Sequence, residues 1–350
     1  MSVCLEAQRD VTCDDVARKD ASYVEVMVAL ARAFQSKFRE GTLDVTVDAF
    51  LSDEEKNSAS DTLVAFARVR NCLPEGARVV MKWYFGTDAN VKDESVIYSC
   101  AVYQLVQSLG HPCFAHPLCV SPPGTANNAS LVREVRKRMR NDAETDVGFI
   151  MTEYCGKRTF DDHVSRIIRL DFDFYSGVIQ MIRALEAMAK EDLVHGDLHF
   201  GNVMFPTYGE VRQNGPPTVT IRAEKRKDVV LSAKDRLVKI FDWDHSLDER
   251  EKLKRPNSWK YILLLDKIGF LRQLNRTLDF KANGVLMEDW LPGFVTVVED
   301  TGAVQVTDLA KLMKIYFKHL ERWVAGALFQ LEAFAFREME NLVDATGRDR

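Results

Sequence analysis

The pattern of apolar residues changes near residue 155 of this 350-residue chain, and this change constrains the fold more than any other feature. Before it, short stretches alternate apolar with polar residues and are rich in β-branched and aromatic side chains, which is typical of strands. These predicted strands cover 43–52, 62–70, 77–85 and 147–155. After it, apolar residues recur at helical spacing over 175–192, and the segments 258–274 and 309–342 are long, strongly apolar and interpreted as helices. Strands followed by helices predict an α+β fold, with an N-terminal antiparallel sheet lobe and a larger helical C-terminal lobe.

Two further helices are predicted in the first part of the chain. One covers 23–34, where an apolar stripe has helical spacing, and the other covers 93–110, from a capping Asp93 to Gly110. The first twenty or so residues are polar and mixed, so we expect a loose terminus there.

Composition excludes several classes of protein. The apolar fraction is 46%, the charged fraction 28% and the net charge −5, so there is no electrostatic footprint for binding nucleic acid. No apolar stretch reaches the ~18 residues that a membrane span needs. The seven cysteines are odd in number and scattered, and the opening residues lack the apolar core of a secretory signal. We therefore expect reduced thiols and a cytoplasmic protein that binds neither nucleic acid nor membrane.

The segment HPCFAHPLC at 111–119 contains two histidines and two cysteines. Two prolines interrupt it, and no second pair with the same spacing occurs elsewhere, so a turn with buried cysteines is favoured over a zinc site. The basic runs at 132–140 and 221–228 are expected to be solvated faces or loops.

Two short clusters carry residues suited to catalysis. The first, LVHGDLHFGNVMF at 193–205, places Asp197 and Asn202 five residues apart between apolar flanks. The second, RLVKIFDWDHS at 236–246, is a predicted strand that runs into Asp242. Carboxylate and amide oxygens suit a hard cation such as Mg²⁺, which keeps water ligands for a phosphate partner. One loop could thus direct an acid at an acceptor and an amide at a metal, with Asp242 as the metal's carboxylate.

These clusters resemble the motifs of the protein-kinase-like superfamily, which includes protein kinases, aminoglycoside and choline phosphotransferases, and the kinase-like proteins of large DNA viruses. The stretch from His195 through Asp197 to Asn202 is similar to the catalytic loop. Asp242-Trp243-Asp244 stands where protein kinases have Asp-Phe-Gly.

The predicted sheet lobe carries the other half of the resemblance. Lys82 in VVMKWY is similar to the lysine of the third strand, and Glu94 stands where its ion-pair partner is expected. The segment MTEYCG at 151–156 resembles the hinge between lobes, which implies that Glu153 and Cys155 bind the nucleotide.

The resemblance implies a two-lobed protein-kinase-like fold with an N-terminal extension at 1–40, a sheet lobe at 41–155 and a helical lobe at 156–350. It implies an ATP-dependent phosphotransferase that uses Mg²⁺. Asp197 would accept the proton of the acceptor hydroxyl, while Asn202 and Asp242 would hold the metal. Lys82, braced by Glu94, would bind the α- and β-phosphates.

Further residues around these motifs have expected roles. His195 is expected to tie the catalytic loop to the backbone at Asp242, and Asp266 to cap loop amides beneath the site, because a carboxylate is costly to bury alone. Trp243 is expected in the core. For Asp244, metal binding and a merely structural place remain open, and His199 is expected to face solvent rather than the acceptor.

The chain also departs from the family pattern. The segment SDEEKNSASD at 52–61 lacks the glycines of a phosphate-binding loop, and Gly196 stands where protein kinases have an arginine. No Ala-Pro-Glu motif follows Asp244. Three interpretations therefore stay open: a protein Ser/Thr kinase, slightly favoured; a small-molecule kinase; or a pseudokinase that acts as an interaction module. A metal hydrolase ranks lower, because no further His/Asp cluster would complete a two-metal site. A viral member would act in the host cytoplasm.

Overall fold

The computed structural model describes residues 22–51, 63–72, 76–85, 101–102, 105, 111–121, 147–212, 215–223, 226–243, 245–256, 259–282 and 306–346. They form two compact units. The first contains residues up to 156 together with 208–220 and 232–234, and the second contains 157–207, 221–231 and residues from 235 onward. The fold is mixed α+β, as predicted from the sequence, with a five-stranded antiparallel sheet and several helices.

The sheet belongs to the first unit, and its neighbouring strands are all antiparallel, in the order β1-β2-β3-β5-β4. The strands are β1 (Val45–Phe50), β2 (Leu63–Val69), β3 (Ala77–Phe85), β4 (Pro117–Ser121) and β5 (Val147–Glu153). Four of them confirm predicted strands. The edge strand β4 was not predicted, because we interpreted its sequence as part of a turn. Its proline is the first residue of an edge strand, a position where a missing N–H breaks no ladder.

Helix α1 (Tyr23–Arg39) packs against the sheet at β4. It begins at a capping box, in which the Ser22 hydroxyl accepts from the Glu25 N–H and the Glu25 carboxylate accepts from the Ser22 N–H. Phe38 of α1 meets the Phe149 ring of β5 edge to face at 5.4 Å between centroids. The helix therefore covers the sheet face that carries Phe149.

The second unit is mainly helical. The elements after β5 follow in chain order; among them α4 lies in the first unit, and β7 and β8 have residues in both units. They are α2 (Phe160–Arg166), α3 (Phe172–Lys190), β6 (Val203–Met204), α4 (Tyr208–Val211), β7 (Thr218–Ile221), β8 (Val229–Ser232), β9 (Lys239–Ile240), α5 (Glu249–Lys254), α6 (Trp259–Ile262), α7 (Leu265–Ala282) and α8 (Val306–Thr346). Strand β6 pairs with β9, and β7 pairs with β8. The predicted apolar face of α3 is buried, and α3 packs against α8.

A buried ion network joins α3 to α8. The Arg183 guanidinium is 2% exposed and donates from Nε to Glu332 Oε1 at 2.9 Å. It also donates to the carbonyl of Ile221 at 2.6 Å. Arg226 pairs with both Glu332 and Glu186. The prediction that the run at 221–228 is simply solvated is therefore wrong for Arg226, which helps to neutralise this buried network.

The predicted helix at 258–274 is interrupted. Helix α6 ends at Ile262 and α7 begins at Leu265, so Asp266 lies in the first turn of α7. The β7–β8 pair was not predicted. The first twenty-one residues, the segment at 52–61, the basic run at 132–140 and most of the predicted helix at 93–110 lie outside the described residues.

Cysteine chemistry differs from the expectation at one position. Cys113, Cys119 and Cys155 are free and buried, but Cys72 is disulfide-bonded, so the prediction of uniformly reduced thiols is wrong there. The segment 111–116 is buried and turn-like, as predicted. Within the described ranges, no helix has the length and apolar character to cross a membrane.

Candidate functional site

The two predicted catalytic clusters come together in the second unit through a pair of short strands. Val203 of β6 pairs with Ile240 of β9, and the Phe241 N–H donates to the Asn202 carbonyl at 3.2 Å. Asn202 therefore lies beside the residue that precedes Asp242. The sequence predicted a strand that runs into Asp242, and the two acids suggested a strand end beside each. This is right for Asp242, which follows β9, but Asp197 comes before β6 rather than after a strand.

The Asp266 carboxylate accepts two hydrogen bonds from the start of the candidate catalytic loop, residues 195–202. Its Oδ2 accepts from the His195 N–H at 2.5 Å and its Oδ1 from the Gly196 N–H at 3.0 Å. The side chain is buried, and burial raises the pKa of Asp266 against the lowering effect of His195 and the two amides. The predicted role of Asp266 as a cap for the loop amides is confirmed.

His195 ties the catalytic loop to the second cluster. Its Nε2 lies 2.8 Å from the Phe241 carbonyl oxygen, so the ring donates a hydrogen bond one residue before Asp242. The ring also packs on Trp243, at 4.8 Å between centroids, and both side chains are fully buried. The structural roles predicted for His195 and Trp243 are confirmed, with the contact shifted by one residue.

Gly196 is required by the backbone. Its φ is +80°, and a Cβ at this position would stand 2.2 Å from the His245 carbonyl oxygen. Any side chain would be both strained and blocked by backbone. The arginine that protein kinases carry at this position could not be accommodated here without moving the loop.

Gln273 of α7 is a structural residue of the site that the sequence interpretation missed. Its Oε1 accepts from the Phe200 N–H at 2.8 Å, and its Nε2 donates to the Leu198 carbonyl at 3.1 Å. It thereby holds the middle of the catalytic loop as Asp266 holds its start. Nothing local to Gln273 signals this role, because the contact spans more than seventy residues.

The Asp197 side chain projects into solvent at the centre of the loop, with 52% of its surface exposed. The Asn202 Nδ2 donates to the Asp197 carbonyl at 3.0 Å and lies 3.5 Å from Asp197 Oδ2. His199 is also half exposed, with Nε2 at 3.8 Å from Asp197 Oδ2. Because the Asn202 amide nitrogen faces Asp197, its amide oxygen is left for another partner.

Asp242 adopts a conformation that few non-glycine residues take. Its φ is +67°. Aspartate and asparagine tolerate this left-handed region better than most residues do, yet it still costs free energy. Such conformations persist where the surroundings require them, often at functional sites.

The candidate nucleotide-binding residues lie in the first unit. Lys82 is on β3 between the buried Met81 and Trp83, so its side chain leaves the opposite face of the sheet. Trp83 packs on Phe149, so both side chains lie on the face of the sheet that α1 covers. Lys82 therefore lies on the opposite face of the sheet. Glu94 lies outside the described residues, as does Asp244.

Glu153 and Cys155 lie at and just beyond the end of β5. The Glu153 carboxylate is buried and accepts from the Tyr23 hydroxyl of α1 and from the His116 N–H, the latter at 2.9 Å. Burial, reinforced by this carboxylate, raises the pKa of Tyr23. The Cys155 thiol donates to the Glu153 carbonyl at 3.5 Å. The carboxylate is therefore committed to Tyr23 and His116, and the Glu153 N–H already donates to the His116 carbonyl at 2.9 Å.

Among the described residues, no group of three or more His, Cys, Asp or Glu side chains is placed to hold a metal ion. The oxygen ligands that the sequence assigns to a metal are the Asn202 amide and the Asp242 carboxylate, both in the second unit. This pair fits an ion such as Mg²⁺, which binds through one or two protein ligands and completes its shell with water and phosphate.

No protein-family model matches the chain, and no curated protein matches its sequence. The motif and the local geometry therefore carry the assignment of function.

Proposed function

We propose that the protein is an ATP-dependent phosphotransferase with a two-lobed protein-kinase-like fold, which moves the γ-phosphate of Mg-ATP to a hydroxyl group. The observation that carries this proposal is the catalytic loop. Asn202 donates a hydrogen bond to the carbonyl of the exposed Asp197, and its own carbonyl accepts from Phe241, the residue before Asp242. Asp266 accepts from two N–H groups at the start of the loop.

In this proposal Asp197 accepts the proton of the acceptor hydroxyl, because it is the exposed carboxylate of the loop. The Asn202 amide oxygen and the Asp242 carboxylate hold Mg²⁺, which when bound neutralises charge on the phosphates. Lys82 binds the α- and β-phosphates, with Glu94 as its partner, and the backbone around Glu153 and Cys155 binds the base. Fixing donors and acceptors before the substrate arrives is what lowers the barrier to phosphoryl transfer.

The acceptor that we assign first is a protein serine or threonine. A small-molecule hydroxyl is the second candidate, and Gly196 favours it. The clash with the His245 carbonyl excludes the arginine that orders the activation segment of regulated protein kinases. We propose a cytoplasmic location, which the free thiols of Cys113, Cys119 and Cys155 support and the Cys72 disulfide does not.

Labelled ATP offered to a protein mixture and to a panel of hydroxyl-containing metabolites tests the proposal. Transfer of label to either pool supports it, and the labelled pool identifies the acceptor class. Mg-ATP should also raise the melting temperature, because a ligand that binds only the folded state stabilises it by mass action. A melting shift without turnover would instead identify a nucleotide-binding pseudokinase. The absence of both effects would contradict the proposal.

A further inference from the structure

The His199 ring is held in one orientation by its own loop. The Gly201 N–H donates to His199 Nδ1 at 3.1 Å, so the ring caps the short 3-10 turn Phe200–Asn202. A Cβ at Gly201 would stand 2.8 Å from His199 Cε1 and 2.9 Å from Nδ1. The ring therefore occupies this place only because residue 201 has no side chain.

This hydrogen bond also determines the tautomer of the ring. Nδ1 accepts from Gly201 and so carries no hydrogen, which means that the neutral ring carries its hydrogen on Nε2. Nε2 is the nitrogen that lies 3.8 Å from Asp197 Oδ2. That separation is longer than a hydrogen bond, but contacts at catalytic groups commonly shorten when substrate binds.

Two side chains of the described residues bring potential donors toward the Asp197 carboxylate, and both approach the same oxygen. Asn202 Nδ2 lies 3.5 Å from Oδ2, and His199 Nε2 approaches the same atom. Among the residues that the structure describes, none donates to Asp197 Oδ1. Among the described residues, the two carboxylate oxygens thus have different hydrogen-bonding surroundings.

We propose that His199 is a positioning residue for Asp197: with Asn202 it holds the carboxylate by Oδ2, so that Oδ1 receives the proton of the acceptor hydroxyl. This inference rests on the proposed phosphotransferase function. His199 cannot relay the proton from Asp197 in this geometry. Its Nε2 already carries a hydrogen, and its Nδ1 already accepts a hydrogen bond from the Gly201 N–H. His199 therefore acts by orienting the base and does not take up its proton.

Two isosteric variants separate capping from positioning. An asparagine amide at 199 reaches about as far as Nδ1, so His199→Asn keeps the cap toward Gly201 but loses the donor toward Asp197. A glutamine amide reaches about as far as Nε2, so His199→Gln keeps that donor and loses the cap. We expect His199→Asn to retain the wild-type melting temperature and the KM for ATP, while kcat falls roughly tenfold, a part of the 10²–10⁴ that a general base contributes.

His199→Gln should recover most of the turnover that His199→Asn loses. Gly201→Ala should lower kcat as His199→Asn does although the imidazole is still present, because the added methyl group displaces the ring. Since the displaced ring also loses the cap, the melting temperature of Gly201→Ala should fall, unlike that of His199→Asn. The ring ¹⁵N resonances of His199 provide a readout that needs no activity, and we expect the Nε2–H tautomer.

Three results would overturn the inference while leaving the proposed function intact: wild-type kcat in His199→Asn, no recovery in His199→Gln, or an Nδ1–H tautomer. A wild-type protein that transfers phosphate to no acceptor would overturn the proposed function, and this inference with it.

Discussion

At the scale of single residues, two aspartates share a left-handed backbone but differ in their surroundings. Asp242 has φ +67° and follows β9 at the candidate metal site. Asp192 has φ +53° and is explained by structure alone, since it accepts from Lys252 Nζ at 2.5 Å and from Trp259 Nε1 at 2.9 Å. The pair provides a matched test of whether the Asp242 carboxylate serves catalysis.

Asp242→Asn should lower turnover by a factor of about 10²–10⁴, the scale of losing one electrostatic stabiliser at an active site. Folding should change little, because asparagine also tolerates the left-handed region. Asp192→Asn should leave turnover unchanged. It should lower the free energy of unfolding by about 1 kcal/mol, because it weakens the ion pair with Lys252. Steady-state kinetics and urea unfolding of both variants provide the check, and wild-type turnover in Asp242→Asn would refute the metal assignment.

Gly196 is a second residue of the candidate site with a left-handed backbone. Gly196→Ala should destabilise the protein by more than the roughly 1–2 kcal/mol that a left-handed alanine costs, because its Cβ would also meet the His245 carbonyl. Gly41→Ala is the control: its φ is +71°, but nothing lies within 4 Å of the added atom. Urea unfolding should show the larger loss for Gly196→Ala, and equal losses would mean that the His245 contact relaxes freely.

At the scale of elements, the network of Arg183, Arg226 and Glu332 fastens α8 to α3. Glu332 is 3% exposed, so Glu332→Ala leaves the buried Arg183 guanidinium without its carboxylate partner. The free energy of unfolding should fall by about 3–5 kcal/mol. The control is Glu340→Ala on the same helix, whose pair with Lys227 is exposed and should contribute at most about 1 kcal/mol. Similar unfolding free energies for both variants would show that the buried network does not stabilise the α3–α8 contact.

At the scale of the whole molecule, we predict that activity does not depend on phosphorylation after Asp242. Ser246 is buried, and its hydroxyl donates to the Trp243 carbonyl at 2.5 Å. A phosphate on Ser246 would break this hydrogen bond and would be repelled by the nearby charge of Asp248. Ser258 lies outside the described residues. Phosphatase treatment should leave the rate unchanged, as should Ser246→Ala apart from a small loss of stability. A tenfold fall after treatment, equivalent to about 1.4 kcal/mol, would contradict this prediction.

Local sequence was enough to predict most elements and the polar residues of the site. Alternation in 77–85 predicted β3 with its bounds, and helical spacing predicted α1, α3 and α8 within a few residues. These patterns are readable because burial of one face imposes a period of 2.0 or 3.6 on the chain. The catalytic-loop motif was equally local, since Asp197 and Asn202 are only five residues apart.

Contacts between distant segments decided the rest. Three features depend on partners at least twenty-eight residues away in the chain. They are the break before α7 that brings Asp266 to His195, the hydrogen bonds of Gln273 to the loop, and the pairing of β4 as an edge strand. At Gly196 the sequence shows that glycine replaces the arginine of the kinase motif. Only the structure shows why a side chain is excluded there, namely the nearby His245 carbonyl. The sequence alone determined which residues are candidates for the proposed phosphoryl transfer. The tertiary structure decided which backbone groups orient them, because hydrogen bonds between distant segments leave no periodic trace in the chain.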